Sequence, residues 1–229
     1  MKLNISNHLF GELIKINVLY SAWINLKHFG IEGLLKMPII IQYGASFHCR
    51  TKNGIQFLNS LKLNMLTIKT GCIITIEIGG LIVFTGDRAC FGVRNFVLVQ
   101  TKGFFEIGNN FWSNRNSEFH CNNSLKIGND VLVSIHVMII DTDYHSIYDN
   151  RMNLVNPDKE ISIGNKVWIG YNVTILKGTR ISNNIVLGAN SLVLGKLMEE
   201  NSIYAGNPAI IRRKDITWCL NPIKCQVQL

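Results

Sequence analysis

The chain has 229 residues, 47% apolar and 17% charged, with a formal net charge of +8. That composition suits a sizeable core and excludes a disordered chain, and there is no run of about eighteen apolar residues to span a bilayer. The positive balance favours anionic partners such as phosphorylated cofactors, acidic glycans or a lipid surface, whereas dispersed Lys and Arg without a binding motif argue against nucleic acid.

The first ten residues, MKLNISNHLF, lack a compact apolar segment ahead of a small-residue cleavage site, so the expected compartment is the cytoplasm. The next stretch, LFGELIKINVLYSAWINLKHFGIEGLLKMPIII, mixes apolar residues with Lys at helix-like intervals. Residues 1–45 are therefore predicted to form a partly helical arm or cap, with Lys15, Trp23, Lys27 and Lys36 as candidates for peripheral contact with a membrane surface. Further on, ITIEIGGLIVFTG and NFVLVQTKGFFEIG read as strands at wide, irregular spacing. The six cysteines are scattered without a CxxC pair, which argues against a zinc ribbon or a disulfide framework.

From residue 161 the pattern tightens. In ISIGNKVWIGYNVTILKGTRISNNIVLGANSLVLG an aliphatic residue recurs every sixth position, at Ile163, Ile169, Ile175, Ile181, Leu187 and Val193. Val167, Val173, Thr179, Ile185 and Ser191 follow four positions after these, and Gly164, Gly170 and Gly188 come directly after theirs. The same register appears upstream at Ile107, Ile127, Val133 and Ile139. A period of six fits neither a helix nor a long alternating strand. It predicts short strands separated by turns, three to a coil, stacked as parallel sheets in a solenoid. Gly and Asn near each bend are the residues expected to supply positive φ.

Between Ile139 and Ile163 the rungs stop. Residues 143–160, DYHSIYDNRMNLVNPDKE, are polar and predicted to be a loop thrown out of the solenoid wall, and a long loop in a compact repeat is usually functional. His145 sits within it, close to Asp141 and Asp143.

The hexads, the DTDYH stretch, VWIG at 167–170 and YAGNPAIIRR at 204–213 together resemble the hexapeptide-repeat acyltransferases. Within them, the likeness is to the maltose and galactoside acetyltransferase branch, which includes O-acetyltransferases of capsular and lipopolysaccharide sugars. It covers residues 103–213 well and the N-terminal hundred loosely. What it implies is an all-β, left-handed parallel β-helix over residues 46–213 with a tail at 214–229. It also implies acetyl-CoA as donor, a glycan or glycosyl-lipid acceptor, and a homotrimer with active sites between neighbouring subunits. Left-handed coiling is an exception to the usual crossover rule, and spacing alone does not supply it.

His145 matches the family's catalytic histidine. An imidazole suits the task, since a base with a near-neutral pKa must take the hydroxyl proton as the sugar oxygen attacks the thioester. Asp143 is the preferred residue to orient it, because positions two apart share a face of an extended segment, with Asp141 the alternative. Asn114 matches an acceptor-binding asparagine, and Trp168 an aromatic bordering the acetyl group, with core packing as its other reading. Gly170 and Ala189 match small residues along which the pantetheine arm lies, and Lys196 and Arg213 are the candidate contacts for the CoA phosphates. Two departures touch that set: Leu194-Gly195 stands where Thr-Lys is common, and Ile210 where a basic residue usually follows GNPA. A metal site built on His120 and His136 is disfavoured, since no second histidine lies near His145. The competing classes are an N-acyltransferase acting on an amino sugar nucleotide and a non-catalytic or gamma-carbonic-anhydrase-like β-helix.

Overall fold

The computed structural model describes residues 18–36, 39–41, 46–49, 55–57, 72–85, 89–92 and 94–219. Lys15, Cys225 and the side chains of Lys36 and Cys49 lie outside that set.

Among the described residues, twenty-two short strands form three sheets, and each strand pairs with the one a coil away, so the chain winds from first sheet to second to third and back. The first sheet includes Glu118–Cys121, Met138–Ile140, Thr174–Leu176 and Leu192–Val193. The second includes Ser124–Ile127, Ile161–Ile163, Arg180–Ile181 and Lys196–Leu197. The third includes Phe111–Ser113, Leu132–Val133, Trp168–Ile169, Ile185–Leu187 and Ser202–Ala205, and ends with Ile210–Arg213 added antiparallel. All other pairs are parallel. The result is a triangular prism with three corners, each a column of turns.

The rungs read from the sequence fill its interior. Ile163, Ile169, Ile175, Ile181, Leu187 and Val193 are all buried, as are Val167, Val173, Thr179, Ile185 and Ser191. Truncating one such rung, for example Ile169→Ala, costs about 2–5 kcal/mol, because neighbouring coils can collapse onto the gap only partly. Earlier coils use rings instead: Phe84, Phe91, Phe105, Phe111 and Phe119 are buried and contact one another edge to face, stacked or tilted.

The corners divide labour between Asn and Gly differently from the expectation. Positive φ falls largely on Asn and Asp, as at Asn110, Asp130, Asn172, Asn184 and Asn190. A second column of asparagines runs between coils: Asn129 Oδ1 accepts the Asn109 N–H, Asn165 Oδ1 that of Asn129, and Asn183 Oδ1 that of Asn165. Gly164, Gly170 and Gly188 do not have positive φ. They are required by close approach, since a Cβ on Gly164 would lie 2.7 Å from Asn183 Oδ1 and one on Gly170 2.5 Å from the Leu187 carbonyl oxygen.

A helix, Val18–Lys36, with a non-helical Gly30, sends Ile24 into the same core as the first coils and buries Ser21 and Asn25. The cap is therefore helical, and strand pairing begins soon after it, at Ile39. Its outer face leaves Leu19, Trp23, Ile31 and Leu35 exposed, with the Lys27 ammonium 4.7 Å from the Trp23 ring centre. Among the described residues no helix is long and apolar enough to cross a membrane. Cys72, Cys90 and Cys121 are buried thiols, whereas Cys219 is held in a disulfide that the cysteine spacing did not forecast.

Candidate active site

Loop 141–160 leaves the prism at the first corner, between Met138–Ile140 and Ile161–Ile163, and its root is tied down twice. Asp141 is fully buried, and its carboxylate accepts the N–H of Asn122 (2.7 Å) and Asn123 (2.9 Å) in the turn one coil earlier. Burial pushes that carboxyl above its ordinary value, while these N–H groups and that of Ser124 pull the other way. One coil on, Lys177 donates to Asp143 Oδ2 (2.6 Å) and to the Asn156 carbonyl oxygen (2.7 Å), clamping both arms of the loop. Hydrogen bonds from Lys177 and then from Asn156 hold the Asp143 carboxyl below the usual carboxylate range.

His145 follows directly. Its N–H donates to the Asp143 carbonyl oxygen (2.7 Å), and its own carbonyl oxygen accepts from Asn156 Nδ2 (2.8 Å). The imidazole is exposed and makes no hydrogen bond to a described residue. It lines a polar cavity of about 220 Å³ together with Gln100, Asn122, Thr142, Tyr144 and Asp158. Tyr144 holds φ 60°, a strained value for a bulky residue of the kind that clusters at functional sites. Its hydroxyl pairs with His120 Nδ1 and the other ring nitrogen, Nε2, lies 3.0 Å from Glu118 Oε2.

Other candidates stand at the third corner, the far end of the first sheet, which is roughly 15 to 20 Å away at about 3.3 Å per residue. There Asn114, Ser134, Gly170 and Gly188 stack one per coil, each N–H donated to the next coil. Ala189 is exposed beside them. Trp168 points outward from the third sheet at 39% exposure, so it is not a core residue, and its Nε1–H donates to Ser134 Oγ (3.2 Å). Trp218, from the returning tail, lies against it with ring centres 6.0 Å apart.

The structure thus gathers the predicted residues into two sets. His145 and Asp143 belong to the first corner, and Lys196 stands just past it, exposed on the second sheet beside Arg180. Asn114, Gly170, Ala189 and Trp168 belong to the third corner and the face leading to it, and Arg213 to the strand that ends that face. Asp143 faces Lys177 and Asn156 rather than the His145 ring, and Asp141 is spent on the backbone, so neither carboxylate orients the imidazole in this chain. Of the basic residues after the solenoid, Arg212 donates to the Ala205 carbonyl oxygen and Lys214 pairs with Glu199, leaving the Arg213 guanidinium without a partner among the described residues. Sequence reading missed Lys177, Asn156 and the Tyr144–His120–Glu118 chain. Lys177 was findable: Ile140 pairs with Leu176, so residue 177 lies one coil from residue 141.

No protein-family model matches the chain. It is 41% identical over 100 residues to WbbJ of Escherichia coli K12, named as a lipopolysaccharide biosynthesis O-acetyl transferase, covering 40% of this chain and 50% of that one. To the galactoside O-acetyltransferase of the same organism it is 35% identical over 108 residues, covering 47% and 53%. The chain spans about half the length of the curated relatives it matches. Among solved structures, the polySia-specific acetyltransferase NeuO superposes with a TM-score of 0.50 at 19% identity, over 81% of this chain and 90% of that one. The chain is a left-handed parallel β-helix of hexapeptide repeats, similar over its matched stretch to the hexapeptide-repeat acetyltransferases.

Proposed function

We propose that the chain is an acetyl-CoA-dependent O-acetyltransferase that acylates a hydroxyl of a surface-glycan sugar, on a polymer or a lipid-linked precursor, with His145 as general base. The observation that carries this reading is the exposed imidazole at the mouth of a polar cavity, on a loop clamped at its root. In the reaction, the imidazole takes the hydroxyl proton as the sugar oxygen bonds to the thioester carbonyl carbon. The carbon–sulfur bond then breaks, and the thiol of CoA leaves with the proton returned by the imidazolium. No side-chain nucleophile is needed.

The two sets of residues imply how the site is completed. One prism offers the base at its first corner and a small-residue ledge at its third, so a single chain holds half of each. We place the first corner of one protomer against the third corner of the next, closing a homotrimer in which the pantetheine arm runs past Ala189 and Trp168 toward His145. Gly170 in this reading is small for the sake of coil stacking, and the open ledge it leaves is a consequence. Arg213 takes a CoA phosphate, and Lys196 of the loop-bearing protomer is the second basic contact. The exposed apolar face of the capping helix supports peripheral contact at the cytoplasmic side of a membrane, where a lipid-linked acceptor would be met. The helix Val18–Lys36, the coils from Ile39 to Arg213 and the chain from Lys214 onward then serve as cap, catalytic solenoid and tail, the solenoid starting ahead of the expected residue 46. Thiol release from acetyl-CoA in the presence of candidate sugars tests the reading. A strictly acceptor-independent hydrolysis, unchanged in His145→Ala, would sink it.

A further inference from the structure

The cavity beside His145 has a composition that restricts what can enter it. Its lining is Gln100, Asn122, Thr142, Tyr144, Ser146, Asp158 and their neighbours, with no Lys or Arg. The ammonium of Lys177, below the loop, is committed to Asp143 and the Asn156 carbonyl oxygen. The cavity does contain a carboxylate: Asp158 Oδ2 accepts from the Asn122 side-chain amide, and Oδ1 remains available as an acceptor. The Gln100 side-chain oxygen has no hydrogen-bond partner among the described residues but is itself shielded from solvent, so the acceptors that the lining offers a ligand are those of Asp158 and the Ser146 hydroxyl. The Tyr144 hydroxyl, paired with His120 Nδ1, adds its oxygen to the same set.

A surface rich in acceptors, with a carboxylate and without cations, suits a ligand that brings hydroxyl donors and no negative charge. We propose that this cavity is the acceptor subsite for an uncharged sugar, with Asp158 excluding carboxylated ones. The proposal rests on the acetyltransferase reading above and narrows it. It runs against the chain's positive net charge, which on its own would favour an acidic glycan. Exclusion here is repulsive: a uronate or sialate entering the cavity would place a second carboxylate near Asp158 with no Lys or Arg of the same protomer in the lining to relieve it, and such juxtaposition discriminates strongly between otherwise similar ligands.

The test uses pairs of acceptors that differ only in charge: methyl galactoside against methyl galacturonoside, methyl glucoside against methyl glucuronoside, and neutral oligosaccharides against an oligomer of sialic acid. Thiol release from acetyl-CoA gives kcat/KM for each with the full chain. The neutral member of each pair should be favoured by about tenfold or more. Asp158→Asn, which keeps the bond to Asn122 within reach, should narrow that ratio to roughly threefold or less. Ser146→Arg, on the exposed loop, should raise turnover of the acidic member. Preference for acidic acceptors in the unmodified chain, or a ratio that neither substitution moves, overturns the inference while leaving the acetyltransferase reading intact. Transfer to no sugar of either kind overturns both.

Discussion

The first and third corners of the prism are built from the same repeat and end up chemically opposite. At the first corner the coil is interrupted by loop 141–160, which carries ionisable groups, a strained tyrosine and a histidine whose ring is open to solvent. At the third the turns stay short, and the stacked positions are Asn114, Ser134, Gly170 and Gly188. One corner offers reactivity and the other a smooth ledge. A thioester transfer needs both, a base at the reacting atoms and a surface along which a long flexible donor can lie. A solenoid keeps its two corners apart by the width of a sheet, which is why the proposed site is completed by a pair of protomers.

The largest effect should come from removing the proposed base. His145→Ala touches no core residue, so the solenoid should remain intact while acetyl transfer falls by roughly two to four orders of magnitude. Circular dichroism and thiol release on the same sample separate the two. Next in size is the donor contact: Arg213→Ala should raise the apparent KM for acetyl-CoA by roughly tenfold to a hundredfold with kcat little changed, as befits a charged hydrogen bond felt alike in ground and transition states. A rise in acceptor KM instead would move Arg213 from the donor side to the acceptor side.

The clamp under the loop should give a smaller effect with a distinctive pH dependence. Asp143 has a carboxyl pKa held below its ordinary value, so its pairing with Lys177 is fully present above the unfolded carboxylate value of about 3.9 and is lost as pH falls through the lowered one. Hydrogen exchange across residues 143–156 should therefore stay slow through neutral and mildly acid pH and quicken only in strong acid. In Lys177→Met exchange should be fast throughout, with kcat down by about tenfold through the misplaced base. Lys177→Arg should restore part of it. Asp141 has the opposite sign: its carboxyl is raised, so ionising it on raising the pH costs stability, and an Asp141→Asn variant should lose that pH dependence along with part of its hold on the turn at 122–124.

How legible all this was in the sequence varied along the chain for a structural reason. Ile163 pairs with Ile181 and Ile175 with Val193, eighteen residues on in each case, so three hexads close a coil and the period is visible by eye. Ile74 pairs with Val97 and Val97 with Phe119, separations of twenty-three and twenty-two, because the early turns are longer and phenylalanines fill the wider space. There the hexad dissolves although the architecture continues. Trp168 was decidable from strand alternation, since Ile169 points inward and its neighbour must point out. The partners of Asp143 and Asp141 were overlooked, because proximity in sequence suggested His145 while the coils before and after supplied Asn122, Asn123 and Lys177, the last of which the hexad register does place one coil from residue 141. In a solenoid the residue a coil away is a closer neighbour than most residues along the chain.

The central claim, that the site is shared between the first corner of one protomer and the third corner of the next, is tested most directly by mixing two inactive variants. His145→Ala removes the base, and Ala189→Trp, at an exposed position, blocks the ledge. Co-expressed with different tags and purified as mixed oligomers, they should recover activity, approaching about a third of that of the unmodified protein, because in every mixed trimer one interface of the three pairs two intact corners. Mixed oligomers no more active than either variant alone would contradict the account and place the whole site within a single chain.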